Sequence, residues 1–284
     1  MKYLHYFNSE QELNTALDTK YQEPWIGVVD KNSTDNQNIK TYNRYNIYKD
    51  NIEYVDLGLP SGTLWMTKNL GAQQIYIDKD STVLGWNEGI YLPWGELEHK
   101  ETSNWTNYKF GGKEQSNVSD GLDDGFTKYG LADNKVILEP EDDIITQTFG
   151  GVWCIPTADD FSELINSANT TWGSNYVTNT TYNKKVYTIT FTSKTNGNIL
   201  TFSGIDHNDG GDVLDYFRLW SSTSATGYST SNNKYIYSTS KASFLHIAEF
   251  SSRNEIWIST AFKYNQYNIR GVIHPKYSKL TIPE

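Results

Sequence analysis

The alternation of apolar and polar positions is sharpest between Glu139 and Ile165. Ile144, Ile145 and Phe149 recur at helical spacing behind Pro140, which suits a first helical position, and Glu141, Asp142 and Asp143 favour the positive end of a helix. Gly150-Gly151 ends that helix, and the apolar run Val152 to Ile155 predicts a short buried strand. Thr157 and Asp160 have the spacing of a capping box, and Phe161, Leu164 and Ile165 form the inner face of the helix it starts.

Elsewhere the period is two. Val55 and Leu57 alternate into a turn at Leu59-Pro60-Ser61-Gly62, and Leu64 to Met66 continues as a strand. Val186 to Phe191 alternates, Asn196-Gly197 predicts a primed turn, and Ile199 to Phe202 returns. Ser243 to Ser251 and Glu255 to Phe262 predict a second antiparallel pair. Residues 73–135 lack periodic runs and read as long loops pinned by Trp86, Trp94 and Trp105. Residues 204–233 read as another loop region, interrupted by a strand at Leu219 to Thr223.

The first 30 residues predict a separate unit. Ser9 and Glu12 suggest a capping box ahead of Leu13, Ala16 and Leu17, and Glu23-Pro24-Trp25-Ile26 opens an extended strand. Such a short helix needs a docking surface. We expect attachment or oligomerisation through Tyr6, Phe7, Leu13, Leu17, Pro24 and Trp25. Residues 31–52, polar with scattered tyrosines, read as a linker arm, and 53–284 as the main domain.

Composition narrows the function. The net charge of −10 without a basic cluster argues against nucleic-acid binding. Aromatics at 14% with abundant Gly, Asn, Ser and Thr indicate a β- and loop-rich fold with a Trp/Tyr core. The single Cys154 excludes an internal disulfide and reads as a small buried hydrophobe. The N-terminus lacks the apolar core of a signal peptide, and no stretch is long enough to span a bilayer.

Five stretches carry a family resemblance. Gly150 to Thr157 resembles the GG-x-W-x-x-PT signature of the Fibrobacter succinogenes major paralogous domain, common in Bacteroidetes proteins and their phages. Glu53 to Ala72 is similar to its opening element, Tyr91-Leu92-Pro93-Trp94-Gly95-Glu96 to its WGE element, and Leu219-Trp220-Ser221-Ser222-Thr223 to its WSST element. Ile269 to Pro275 resembles its closing element in degraded form. The resemblance implies an α+β domain of the C-type-lectin-like and formylglycine-generating-enzyme-like group, with much irregular loop. The N-terminal unit is similar to the opening of virion proteins of crAss-like Bacteroides phages.

Candidate chemistry is sparse. The copper-dependent relatives need a cysteine pair, and this chain has one cysteine. His5, His99, His207, His246 and His274 have no metal-ligand spacing, and His246 reads as a half-buried strand residue. Glu96, Asp142 and Asp143 are the acidic candidates for glycoside hydrolysis, although helix-end acids have a structural explanation. The aspartate-rich runs 120–125 and 206–212 miss the EF-hand spacing and read as turns. We therefore expect no catalytic residue, metal or cofactor. Trp172 and Tyr176, with Tyr228, Tyr235 and Tyr237, are read as loop aromatics able to stack on sugars. The resulting expectation is a non-enzymatic head fibre or capsid decoration on a virion surface, made in the host cytoplasm. Its partners would be other capsid proteins, itself as a homodimer or homotrimer, and host or mucosal glycans, with no nucleic acid and no membrane. The alternative is a glycan-binding adhesin of a Bacteroidetes bacterium.

Overall fold

The computed structural model describes residues 3–7, 25–29, 40–43, 52–72, 75–77, 83–86, 88–112, 125–130, 133, 135–150, 153–179, 184–205, 213–229, 234–250 and 253–274. Among them the chain is mostly β-sheet with two short α-helices, a β- and loop-rich α+β protein. No helix there is long and apolar enough to cross a membrane.

Three strands near the N-terminus form their own sheet: β1 (Tyr3–Phe7), β2 (Trp25–Val29) and β3 (Lys40–Asn43), in the order β1-β2-β3. β1 and β2 are parallel and β3 is antiparallel to β2, so part of the presumed arm is itself a strand. The expected helix with Leu13 and Leu17, and Pro24 ahead of β2, lie outside the described residues.

The remaining chain is built on two sheets that each face two cores. The first takes β4 (Tyr54–Asp56), β5 (Leu64–Met66), β9 (Trp153–Cys154) and β17 (Val272–Ile273), in the order β4-β5-β17-β9. Its alternation sorts Val55, Trp65, Cys154 and Val272 to one side and Leu64, Met66, Trp153 and Ile273 to the other. The second takes β8 (Tyr91–Pro93), β13 (Val213–Ser229), β14 (Lys234–Phe250), β15 (Arg253–Phe262) and β16 (Gln266–Asn268), in the order β15-β14-β13-β16-β8. There Phe217, Leu219, Leu245 and Ile247 face one core, while Trp220, Phe244 and Tyr267 face the other. A sheet buried on both faces must carry apolar residues at consecutive positions, as Leu219-Trp220 and Phe244-Leu245 do.

Two helices and a third sheet close these cores. A 3-10 turn, Pro140–Asp142, precedes α1 (Ile144–Phe149), where a single helix was expected. The break falls at Asp143, whose extended backbone lets Oδ1 accept from Thr146 N at 3.0 Å and Oδ2 accept from Ile155 N at 2.8 Å. α2 (Ala158–Ile165) starts at the expected capping box: Thr157 Oγ1 accepts from Asp160 N, and Thr157 N donates to Asp160 Oδ2 at 2.7 Å. Phe161 and Leu164 enter the second core. β10 (Thr170–Asn179), β11 (Lys184–Ser193) and β12 (Ile199–Ile205) cover it from outside with Tyr187, Ile189, Phe191, Leu200 and Phe202.

Several expectations change. The Asn196-Gly197 corner is not a two-residue primed turn: only Gly197 has positive φ, and Ser193 N donates to Asn198 O. Cys154 is half-buried rather than enclosed. Residues 213–229 form one long strand where a loop interrupted by a short strand was read, and β14 begins at Lys234, ahead of the strand expected from Ser243. Residues 73–135 do include β6 (Ile75–Ile77), β7 (Val83–Trp86) and β8.

Candidate functional site

The stretches singled out in the sequence converge on one another. Trp94 Nε1 donates to Ser221 O at 2.8 Å, and Trp220 Nε1 donates to Leu92 O at 2.9 Å, so the two tryptophans bind each other's strand reciprocally. Ser222 N donates to Pro156 O and Ala158 N to Thr223 Oγ1, which joins this pair to the start of α2. Ser61 N reaches Glu163 Oε1 at 2.8 Å, and Thr63 Oγ1 reaches Asp160 Oδ1 at 3.2 Å. His274 Nε2 stands 3.3 Å from the other oxygen of Asp160. These groups act as joints of the framework.

Arg270 makes the longest-range joint. Its side chain is buried, with Nε donating to Asn69 Oδ1 at 2.6 Å, Nη1 to Met66 O at 2.7 Å and Nη2 to Thr201 O at 3.5 Å. The guanidinium also lies 4.3 Å from the centre of the Phe202 ring. Burial lowers its pKa to about 9, which still leaves it charged at neutral pH.

The acidic candidates are engaged too. Glu96 accepts from Lys109 N at 2.9 Å and pairs with Lys100 at 2.5 Å. Asp142 accepts from Lys109 Nζ, Lys128 Nζ and the Tyr129 hydroxyl. Burial alone would raise the Asp142 pKa, but these donors outweigh it and hold the carboxyl below its ordinary value. Asp143 differs: burial pushes it up to about 6 despite its backbone donors.

Glu139, Glu141 and Asp142 offer oxygens that lie within 4.8 Å of one another, close enough to hold a metal ion. The ammonium of Lys128 occupies this position instead, 2.6 Å from Glu139, 2.9 Å from Glu141 and 2.5 Å from Asp142. Burial would lower its pKa, yet the three carboxylates raise it, and Lys128 and Lys135 together hold Glu139 down to about 2. Tyr129, beside it, adopts a left-handed backbone with φ of 59°. Its N–H binds Asp133, its hydroxyl accepts from Glu139 N, and its carbonyl accepts from the fully buried Lys263 ammonium at 2.9 Å. Trp94 and Phe126 face that ammonium at 4.7 and 5.1 Å. Sequence reading missed Lys128, Tyr129, Lys263 and Arg270, because nothing local marks a cation whose partners arrive from distant strands.

No family model, no curated protein and no solved structure matches the chain. The assignment of function therefore rests on where the chosen residues lie.

Phe7 and Trp25 fall on one face of the N-terminal sheet by register and Tyr6 on the other, while Leu13, Leu17 and Pro24 are outside the described residues. Tyr228, Tyr235 and Tyr237 are on strands rather than in a loop. Tyr228 pairs with Tyr235 and Thr226 with Tyr237, so all three tyrosines take positions on one face of a two-stranded ribbon. Neither β15 nor β16 pairs with that part of the ribbon. Trp172 and Tyr176 lie on β10, opposite Phe191 and Tyr187. Of the histidines, His99 Nδ1 contacts Tyr91 O, and His246 lies against Trp257 with its pKa lowered to about 4 by burial and by Arg218. The run 206–212 lies outside the described residues.

Proposed function

We propose that the chain is a non-enzymatic structural component of a phage particle, a head fibre or capsid decoration with a lectin-like domain on an N-terminal foot. The observation that carries this reading is a division of strand pairing. Among the described strands β1, β2 and β3 pair only with one another, while the first and last strands of 54–273 meet in one sheet. A foot with its own hydrogen bonds suits attachment, and a domain closed on itself suits display. The ordered motif stretches, joined as described, support kinship with the Fibrobacter succinogenes major paralogous domain and a C-type-lectin-like fold. Peptides from this chain should appear in purified particles at a fixed ratio to the capsid protein; their absence rejects the proposal.

The three ribbon tyrosines favour glycan recognition as the task of the displayed domain, since aromatic faces stack on sugars. Replacing Tyr228 and Tyr235 with alanine should remove binding on a glycan array without unfolding the protein. Glycan binding by a chain found in bacterial envelopes, but absent from particles, supports the bacterial adhesin instead.

A further inference from the structure

The corner between β11 and β12 is fastened to β4 by side-chain amides. Asn196 Nδ2 donates to Asp56 O at 3.0 Å, and Asn198 Nδ2 donates to the same oxygen at 2.7 Å. Asn196 Oδ1 also accepts from Asn198 N at 3.0 Å, so one asparagine positions the other. The fit is close: a Cβ at Gly58 would stand 3.0 Å from Thr195 Cγ2 and 3.2 Å from Asn196 Nδ2. These contacts tie the sheet of β4, β5, β17 and β9 to that of β10, β11 and β12.

Asn196 precedes Gly197, and this is the one Asn-Gly step in the sequence. Such a step carries chemistry of its own. A main-chain nitrogen can attack the side-chain amide of the asparagine before it, and glycine, having no Cβ, crowds that approach least. Residues 194–199 are all exposed, so water and hydroxide reach the corner. In the folded chain Gly197 N donates to Ser193 O at 3.1 Å, and a local opening of this bond frees the nitrogen.

We propose that Asn196 is a self-modification site, where spontaneous deamidation with water as the co-reactant unfastens β4 from the β11–β12 corner. The Gly197 nitrogen bonds to Asn196 Cγ and gives up its proton, while the Cγ–Nδ2 bond breaks and ammonia leaves. Water then adds to one carbonyl of the five-membered imide and opens it. If the ring opens at Cγ, residue 196 carries a side-chain carboxylate. If it opens at the former main-chain carbonyl, the chain runs on through Cγ and is one carbon longer. Both products lack the Nδ2 donor. The first sets a carboxylate against Asp56 O, two groups that only accept. The second lengthens a corner that already touches Gly58. The join between the two sheets therefore has a chemical lifetime, set by pH and temperature and needing no enzyme.

The test ages the full-length chain in mildly alkaline buffer at body temperature. Peptide mass mapping should find acid accumulating at 196 several-fold faster than at Asn166, an exposed asparagine that precedes Ser167. Separated by anion exchange, the aged fraction should unfold at lower urea than the fresh chain. Its amides over 54–58 should exchange hydrogen faster, while those of α2 should not change. Asn196→Asp, which carries the first product from the start, should show both changes without ageing. Conversion at 196 no faster than at Asn166 overturns the proposal. So does an aged fraction, or an Asn196→Asp chain, whose urea midpoint and 54–58 exchange match those of the fresh parent.

Discussion

At the scale of single residues, a lysine takes the place that a metal ion could fill among three carboxylates. Lys128 neutralises three carboxylates at once, and Tyr129 holds the strained conformation that brings its hydroxyl to Asp142 and its carbonyl to Lys263. A left-handed tyrosine costs about 1–2 kcal/mol, so its network must contribute more than that. Lys128→Ala leaves the carboxylates facing one another. It should destabilise the protein by roughly 2–3 kcal/mol, less than a fully buried pair because Glu141 is exposed. Millimolar calcium should then raise the melting temperature of the variant but not of the parent, as thermal denaturation can show. Asp143 supplies a pH signature of opposite sign to Glu139 and Asp142. Its folded pKa of about 6, against an ordinary 3.8, keeps a proton on the folded chain that the unfolded chain has lost. That contribution, on the order of 3 kcal/mol, is complete below about pH 4 and is lost as pH rises through about 6. Glu139 and Asp142 behave in reverse, and their contribution is lost as pH falls below the ordinary carboxylate range. Urea titrations between pH 4 and 7 should show a stability difference between parent and Asp143→Asn that changes by this amount. A difference that stays constant with pH would mean Asp143 does not titrate there.

Among elements, what could be foreseen was local. The capping box at Thr157 and Asp160 and the turn at Leu59–Gly62 depend on neighbours within four residues, and both form as the sequence suggests. Long-range pairing decided the rest. β13 reads as loop because Ser, Thr and Gly dominate its second half and because register shifts near Ser224 break its two-residue period. Only β14, folding back across it, makes that stretch a strand. Tyr228, Tyr235 and Tyr237, read as loop residues, stand on β13 and β14 for the same reason. Gly271 also illustrates the limit, since nothing in its local sequence reveals that a Cβ would come within 2.6 Å of the Met66 side chain. Gly271→Ala should cost about 1–3 kcal/mol by overpacking this junction, measured from the urea midpoint. Additional replacement of Met66 by leucine should recover part of the loss.

For the whole molecule, two cores share two sheets, and a buried arginine ties the end of the domain to its beginning. That closure suits a rigid displayed body, and the separate N-terminal sheet suits an anchor. The most direct measurement is co-sedimentation of the full chain and of residues 53–284 with purified particles that lack this protein. The full chain should pellet with the particles, while the shortened chain, folded with an unchanged near-ultraviolet circular dichroism spectrum, should stay in the supernatant. Equal recovery of both chains in the pellet would contradict the assignment of attachment to the N-terminal sheet.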